Sequence, residues 1–328
     1  VYYGDRIGKT IISTRLAATM GKVLGRTSVV HLTGLFDWIF PWTVMLCMGS
    51  GVPLVLSVRG SLLESARRWR SHRKTGWQLL VGSWALGRVS VFHATSQEEA
   101  DAVNAMLPGA SIVVIPNGVG IPDTCSARPK ASPAQDGLPY IAYLGRIHPF
   151  KQVERIIHAF GVVTRRRPAR LVVAGTGEEA YLVALRRIAL EQGLGEQVCF
   201  IGHVSGAEKE GLLTAAQGLV LASKSESFGM SVAEALAHGT PCVVTKTAPW
   251  SGLERERCGF WVDDCVEALA EGMRKLIDLS PEERRAMGER GRAWMARDFS
   301  WGSVAKRMIG LYERVMDESR ARQRSNVM

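Results

Sequence analysis

Two carboxylates, Glu226 and Glu234, stand eight positions apart in a segment that reads as strand, loop and helix. The strand is GLVLAS (218–223), the helix is MSVAEALAHG (230–239), and a further apolar strand, PCVVT (241–245), follows. One turn into the helix, Glu234 can lie beside the amino-terminal end and accept hydrogen bonds from ligand hydroxyls, while Glu226 reaches from the loop to another part of the same ligand. The amides near Phe228, Gly229 and Met230 add donors for a phosphate or a sugar oxygen. Upstream, GRIHPFK (145–151) places Arg146 and Lys151 in the loop and helix start after another strand. Two cations beside helix amino termini at the carboxyl edge of a parallel sheet suit a diphosphate. A carboxylate pair also fits glycoside hydrolysis, but the cations have no task in that reaction. They do have one in stabilising a departing diphosphate. The plain alternatives are a capping Glu, a solvated loop Glu and a solvated basic loop; His148 reads as a loop residue rather than a base.

Weaker signals lie on either side. AGTGEE (174–179) is a Gly-rich turn in which Gly175 could let the backbone approach a nucleotide, although such turns are common packing features. FIGHV (200–204) ends a strand where the main chain around Val204 could pair with a nucleobase, and an ordinary strand end explains it equally well. No Asp-x-Asp stands at a strand end, and Asp263-Asp264 reads as a turn, so no metal is expected.

The elements that would position these residues alternate from residue 138 onward. YIAYLG, RLVVAG, QVCFIG and GLVLAS are separated by helical patterns at 151–165, 179–192 and 205–215, which predicts a parallel doubly wound α/β sheet binding ligands outside its carboxyl ends. SVVHLTG, PLVLSV, SVFHATS and SIVVIPNG repeat the logic in a smaller first unit, with helices near 35–50, 62–86 and 97–107. The expected division is a first domain at 1–122, a Ser/Pro/Ala-rich linker at 123–137, a second domain at 138–298 and a carboxy-terminal helix at 299–328 that packs back toward the first. With 328 residues, 46% of them hydrophobic, two cored domains are affordable. Six cysteines without a Cys-x-x-Cys pair read as thiols of a reducing compartment, with Cys199 and Cys242 inside strands as small buried hydrophobes. The longest apolar stretch, 35–48, is interrupted by Asp37 and Pro41, so the reading is a soluble, cytoplasmic protein. Its net charge of +10 favours an anionic partner.

Taken in order, GRIHPFK, AGTGEE, FIGHV, SESFGMSVAEALAHGTPCVV (225–244), TKTAPW (245–250) and GFWVDD (259–264) resemble the donor domain of the family 4 retaining glycosyltransferases. HATSQEEADAV (93–103) and VIPNGV (114–119) are similar to the stretches that close that family's acceptor domain. The resemblance implies the GT-B fold: two Rossmann-like domains facing a cleft. It implies transfer of a sugar, with retention, from a nucleoside diphosphate sugar to a glycan or lipid-linked acceptor, without a metal. In that frame Arg146 and Lys151 hold the donor diphosphate, Glu226 contacts the sugar hydroxyls and Glu234 the ribose. The amides of Gly229 and Met230 lie near sugar and phosphate, Val204 lies near the base, and the loop with Pro249 and Trp250 lies beside the donor. The leaving phosphate itself takes the acceptor proton, so no general base is needed.

Two departures from the family pattern stand out. The chain opens in a helix-like stretch and its first clear strand is 28–32, where the family has earlier strands and a Gly-rich loop, so an incomplete acceptor domain is expected, and with it the alternative of a catalytically silent binding protein. A nucleotide-sugar epimerase of the same architecture is a third reading, against which the ordered motifs stand. The second departure is Arg59 in SVRGS (57–61), where many members carry a histidine; Arg59 could contact an anionic acceptor or the diphosphate, or pair with Glu64 as a strand-end residue. After it, Arg67, Arg68, Arg70, His72, Arg73 and Lys74, with Trp69 and Trp77, form a face that could dock on anionic membrane or simply be solvated. No nucleic-acid motif is visible.

Overall fold

The computed structural model describes residues 6–7, 10–11, 14–35, 39–63, 83–123, 137–165 and 167–325. The chain divides into two units, one of Val1–Pro116 with Val304–Met328 and one of Asn117–Ser303.

The first unit opens with an antiparallel pair, β1 (Arg6–Ile7) and β2 (Thr10–Ile11), where a helix-like start is expected from the sequence. A helix, α1 (Thr14–Leu24), follows. Then β3 (Val30–Thr33), α2 (Ile39–Ser50), β4 (Leu54–Ser57), α3 (Ser83–Leu86), β5 (Val91–Ala94), α4 (Gln97–Met106) and β6 (Ile112–Val114) alternate. The four strands β3 to β6 pair in parallel in chain order. Both β4 and β5 are buried along their whole length, as apolar runs covered on both faces must be. α4 starts where Ser96 Oγ accepts from the amide of Glu99 at 3.3 Å, the arrangement that satisfies an orphan amino-terminal donor. The basic cluster at 67–74, Glu64 and most of the linker lie outside the described residues.

The second unit carries β7 (Tyr140–Leu144), a 3-10 turn at Pro149–Lys151, α5 (Val153–Thr164), β8 (Arg170–Ala174), α6 (Glu179–Glu191), β9 (Val198–Gly202), α7 (Gly206–Ala215), β10 (Gly218–Leu221), α8 (Met230–Ala237), β11 (Cys242–Thr245), α9 (Gly252–Arg255), β12 (Gly259–Val262), α10 (Val266–Asp278) and α11 (Pro281–Trp294). All six strands are parallel, in the order β12-β11-β10-β7-β8-β9. Succession therefore reverses between β7 and β10, and a crevice opens outside the carboxyl ends of strands at such a switch point. Side chains alternate across the sheet: Val220 packs with Ile156, Phe160 and Met273, whereas Leu219 and Leu221 pack with Val232, Leu236 and Trp250.

Ser280 caps α11 in a reciprocal box with Glu283, and Pro281 occupies the first turn, as the Ser-Pro pair predicts. After a π-turn at Met295–Phe299, α12 (Trp301–Ser325) sends Val304, Leu311 and Val315 onto Val55, Val91 and Ile115 of the first unit. Cys47, Cys242 and Cys258 are buried, and burial pushes the thiols of Cys47 and Cys258 up to about 11 and about 12. Cys199 departs from the sequence expectation: it is half-buried on the edge strand β9, and its Sγ accepts from Arg170 Nη1 at 3.4 Å. Among the described residues no helix is long and apolar enough to cross a membrane.

Candidate functional site

Lys151 follows β7 and Glu226 follows β10, so the two flank the switch point, and there they meet: Lys151 Nζ forms an ion pair with Glu226 Oε1. Their side chains are 23% and 11% exposed, which leaves the pair partly desolvated but open to a ligand. The buried hydroxyl of Ser223 donates to the same oxygen at 2.8 Å. Glu226 Oε2 has no partner among the described residues. One carboxylate oxygen is thereby fixed and the other stays available to accept from a hydroxyl.

Three loops are laced around this pair. Lys224 N–H donates to Phe150 O at 2.8 Å, tying the loop after β10 to the turn after β7. Glu226 N–H reaches Thr247 O at 3.3 Å, and Thr247 Oγ1 returns to Ser223 O at 2.5 Å, tying in the loop after β11. Within the turn after β7, His148 Nδ1 accepts from Phe150 N–H at 3.1 Å. That nitrogen is committed to capping rather than to proton transfer. The Tyr143 hydroxyl donates to Arg146 O at 2.9 Å. Burial raises the pKa of this phenol, with Glu226 adding to the rise and Arg146 opposing it. One buried hydroxyl thus senses the acidic and the basic residue together. The Arg146 side chain is exposed and makes no ion pair among the described residues.

The loop then enters α8 through Gly229, whose φ of 88° favours glycine. A Cβ there would also press on Trp250 Nε1 and Leu221. The Trp250 indole donates to Phe228 O at 2.5 Å. Both rings sit in an aromatic cluster with Trp294 and Phe299. Phe228 and Trp250 are 4% and 1% exposed, so their side chains belong to the core. The amides of Gly229 and Met230 open α8 without an acceptor among the described residues, as the first amides of a helix do.

Glu234 is not joined to Arg146 or Lys151. Its Oε1 accepts from Lys209 Nζ at 2.9 Å, and Lys209 comes from α7. Gly175 stands against the backbone of the turn after β7: a Cβ on it would fall 1.8 Å from Gly145 O. Close packing of the β7 and β8 strand ends accounts for that glycine. Val204 is half-buried against Tyr140, Ala142 and Leu212. In the first unit Arg59 and Gly60 both take left-handed φ values, 47° and 74°. The turn is pinned by Glu99, 1% exposed, whose carboxylate accepts from Gly60 N–H and from Thr95 N–H and Oγ1 at 2.6 and 2.7 Å. Burial lowers the pKa of His31 and His93, and the Arg59 cation lowers both further, so its charge stands near the ends of β3 and β5. Among the described residues no three His, Cys, Asp or Glu side chains converge as metal ligands.

Residues 126–294 match the family of glycosyl transferases group 1, and residues 7–118 match the glycosyl transferase 4-like domain. Over 94% of its length the chain is 31% identical to the D-inositol 3-phosphate glycosyltransferase of Corynebacterium efficiens, of which it covers 78%. The chain belongs to the glycosyl transferases group 1 family. It is also 26% identical to the GDP-mannose:cellobiosyl-diphosphopolyprenol alpha-mannosyltransferase of Xanthomonas campestris, over 94% of this chain and 80% of that one. Anabaena HepE, solved with UDP and glucose, shares the fold at a TM-score of 0.74 and 18% identity, over 91% of this chain and 81% of that one. The fold is GT-B, as the sequence resemblance implies, and the protein is a glycosyltransferase that takes its sugar from a nucleotide sugar.

For this glycosyltransferase, sequence reasoning did not single out Ser223, Lys209 or Glu99, and it placed Thr247 only as part of the loop TKTAPW. Each acts through a partner 3 to 39 positions away. Only Ser223, three residues before Glu226 at a strand end, carried a signal that local reading could have used.

Proposed function

We propose that this glycosyltransferase moves a sugar, with retention, from a nucleoside diphosphate sugar to a glycan or lipid-linked acceptor, in cell-surface polysaccharide biosynthesis and without a metal. The observation that carries the reading is the Lys151–Glu226 ion pair across the switch point of the second sheet, with one carboxylate oxygen unclaimed. Lys151 and Arg146 balance the charge that grows on the departing diphosphate. Glu226 Oε2 accepts from a sugar hydroxyl, Glu234 faces the ribose, and the amides of Gly229 and Met230 donate to sugar or phosphate oxygens. Val204 contributes main chain beside the base, Gly175 lets the neighbouring turn approach, and Arg59 serves the acceptor or the diphosphate. In the transfer, the bond from the anomeric carbon to the phosphate oxygen breaks, a bond from that carbon to the acceptor oxygen forms on the same face, and the acceptor proton passes to the leaving phosphate. The basic segment at 67–74 suits peripheral contact with anionic lipid.

One relative is named for GDP-mannose and one structural neighbour holds UDP, so the donor is found by screening both nucleotides with several sugars. With the active pair in hand, Lys151→Ala and Glu226→Ala each lower turnover at least a hundredfold, and the anomeric configuration of the product is retained by NMR. Full turnover in EDTA supports the metal-free reading, and unchanged turnover in either variant refutes the site.

A further inference from the structure

Among the described residues, three that are not glycine take a left-handed φ: Arg59, Gln152 and Arg257. Such a conformation costs free energy and persists only where the surroundings impose it, which concentrates it at functional sites. At Arg59 the φ is 47°, and Gly60 continues in the same region at 74°. What imposes this turn is Glu99, in the first turn of α4. One of its carboxylate oxygens accepts from Gly60 N–H, and the other from Thr95 N–H and Oγ1 at 2.6 and 2.7 Å. The residue is 1% exposed, and no cation pairs with it among the described residues. Those donors and the amino-terminal end of α4 balance its charge.

A buried carboxylate that holds a strained turn carries two costs for folding, desolvation of the charge and the backbone conformation itself. What the arrangement achieves is the placing of one side chain. Val58 is buried, Gly60 has no side chain, and Arg59 between them is exposed. On the other flank Ser57 Oγ is held by His31 Nε2 and His93 Nδ1 at 2.7 and 2.6 Å, so the chain is fixed both before and after Arg59. We propose that Glu99 is a positioning residue for the transfer reaction: by clamping Gly60 to the loop after β5, it presents the Arg59 guanidinium in one direction to the anionic group of a substrate. This rests on the assignment of Arg59 to the acceptor or the diphosphate made above.

The test is steady-state kinetics of the full chain with its active donor and acceptor pair, for Arg59→Met, Glu99→Gln, Gly60→Ala and the double variant Arg59→Met/Glu99→Gln, with urea unfolding of each. Arg59→Met lowers kcat/KM at least about tenfold, the scale of a lost charged hydrogen bond. Glu99→Gln keeps the size of the side chain but sets an amide donor against N–H groups, so the turn shifts and kcat/KM falls about tenfold. In the Arg59→Met background Glu99→Gln lowers kcat/KM no further, although its loss of stability persists. A residue that only supports the fold would lower stability in both backgrounds and move the kinetics in neither. Gly60→Ala strains the same turn from its own backbone and repeats the kinetic loss. Should Glu99→Gln fail to fold, unchanged kinetics in Gly60→Ala overturn the proposal. If Glu99→Gln folds and leaves kcat/KM unchanged, or if its kinetic effect survives without Arg59, the role of Glu99 is overturned while that of Arg59 stands. If Arg59→Met has wild-type kinetics, both assignments fall.

Discussion

Glu226 shows how much of a site is written in a residue type and how much in its neighbours. A carboxylate at the end of a strand, with a helix behind it, is visible in the chain. That its Oε1 is shared by Lys151 Nζ and Ser223 Oγ is not, because Lys151 lies 75 positions away and only the sheet order brings it near. Phe228 shows the reverse limit. An aromatic side chain in a site loop reads equally as a ligand contact or as core, and here it is core. Ser223 tests the geometry. Ser223→Ala removes a buried donor and leaves Lys151 as the one described partner of the Glu226 carboxylate, so that the carboxylate gains rotational freedom, which a positioned catalytic group would not tolerate. The expected outcome is a loss of about tenfold in kcat/KM with a stability change of about 1 kcal/mol. Steady-state kinetics and urea unfolding check the two parts, and wild-type kinetics in this variant would remove Ser223 from the positioning network.

At the scale of elements, the alternation of apolar runs and helical periods located the strands of both sheets to within a few residues, since strands buried on both faces leave a continuous signal. The short pair β1 and β2 and the π-turn at Met295–Phe299 left no such signal, each being too brief for a period to register. The lacing of loops was equally silent, because hydrogen bonds from Lys224 to Phe150 and from Trp250 to Phe228 are set by register between crossovers. Trp250 couples the core to the site through one bond: its ring packs on Trp294 and Phe299, and its N–H fixes the carbonyl that precedes Gly229. Trp250→Phe keeps an aromatic ring and loses the donor. It should cost about 2 kcal/mol, combining an unsatisfied buried carbonyl with a smaller ring. Donor affinity should fall as the amides of Gly229 and Met230 lose their register, and thermal unfolding with and without nucleotide separates the two effects. A variant that loses stability but binds nucleotide normally would show that the loop holds its shape without the indole.

Across the whole first unit, a run of hydrogen bonds joins the strands to the last helix, and its proton positions follow from its ends. Ile115 O can only accept, so His93 Nε2 donates to it at 2.8 Å. A neutral His93 then accepts at Nδ1 from Ser57 Oγ at 2.6 Å, and Ser57 accepts from His31 Nε2 at 2.7 Å. His31 Nδ1 finally accepts from the Tyr312 hydroxyl at 2.6 Å. With both histidines neutral every member of the run is satisfied. Burial lowers His93 from 6.5 to about 4, with His31, Arg59 and Arg307 adding repulsion to its charged form and the bond to Ile115 opposing them. His31 is lowered as well, by burial and by Arg59. In the unfolded chain these rings bind protons near pH 6.5, where the folded chain binds fewer, so stability is full above 6.5 and falls as the pH drops toward 4. For His93 alone the fall is on the order of 3 kcal/mol. Urea unfolding at several pH values between 7.5 and 4.5 measures it, and His93→Gln supplies the control, since Gln can still donate to Ile115 O but does not titrate. The wild-type chain should lose stability over this window more steeply than the variant. Parallel slopes would mean that the network carries its protons as easily folded as unfolded, and that carboxylates elsewhere govern the acid sensitivity of the protein.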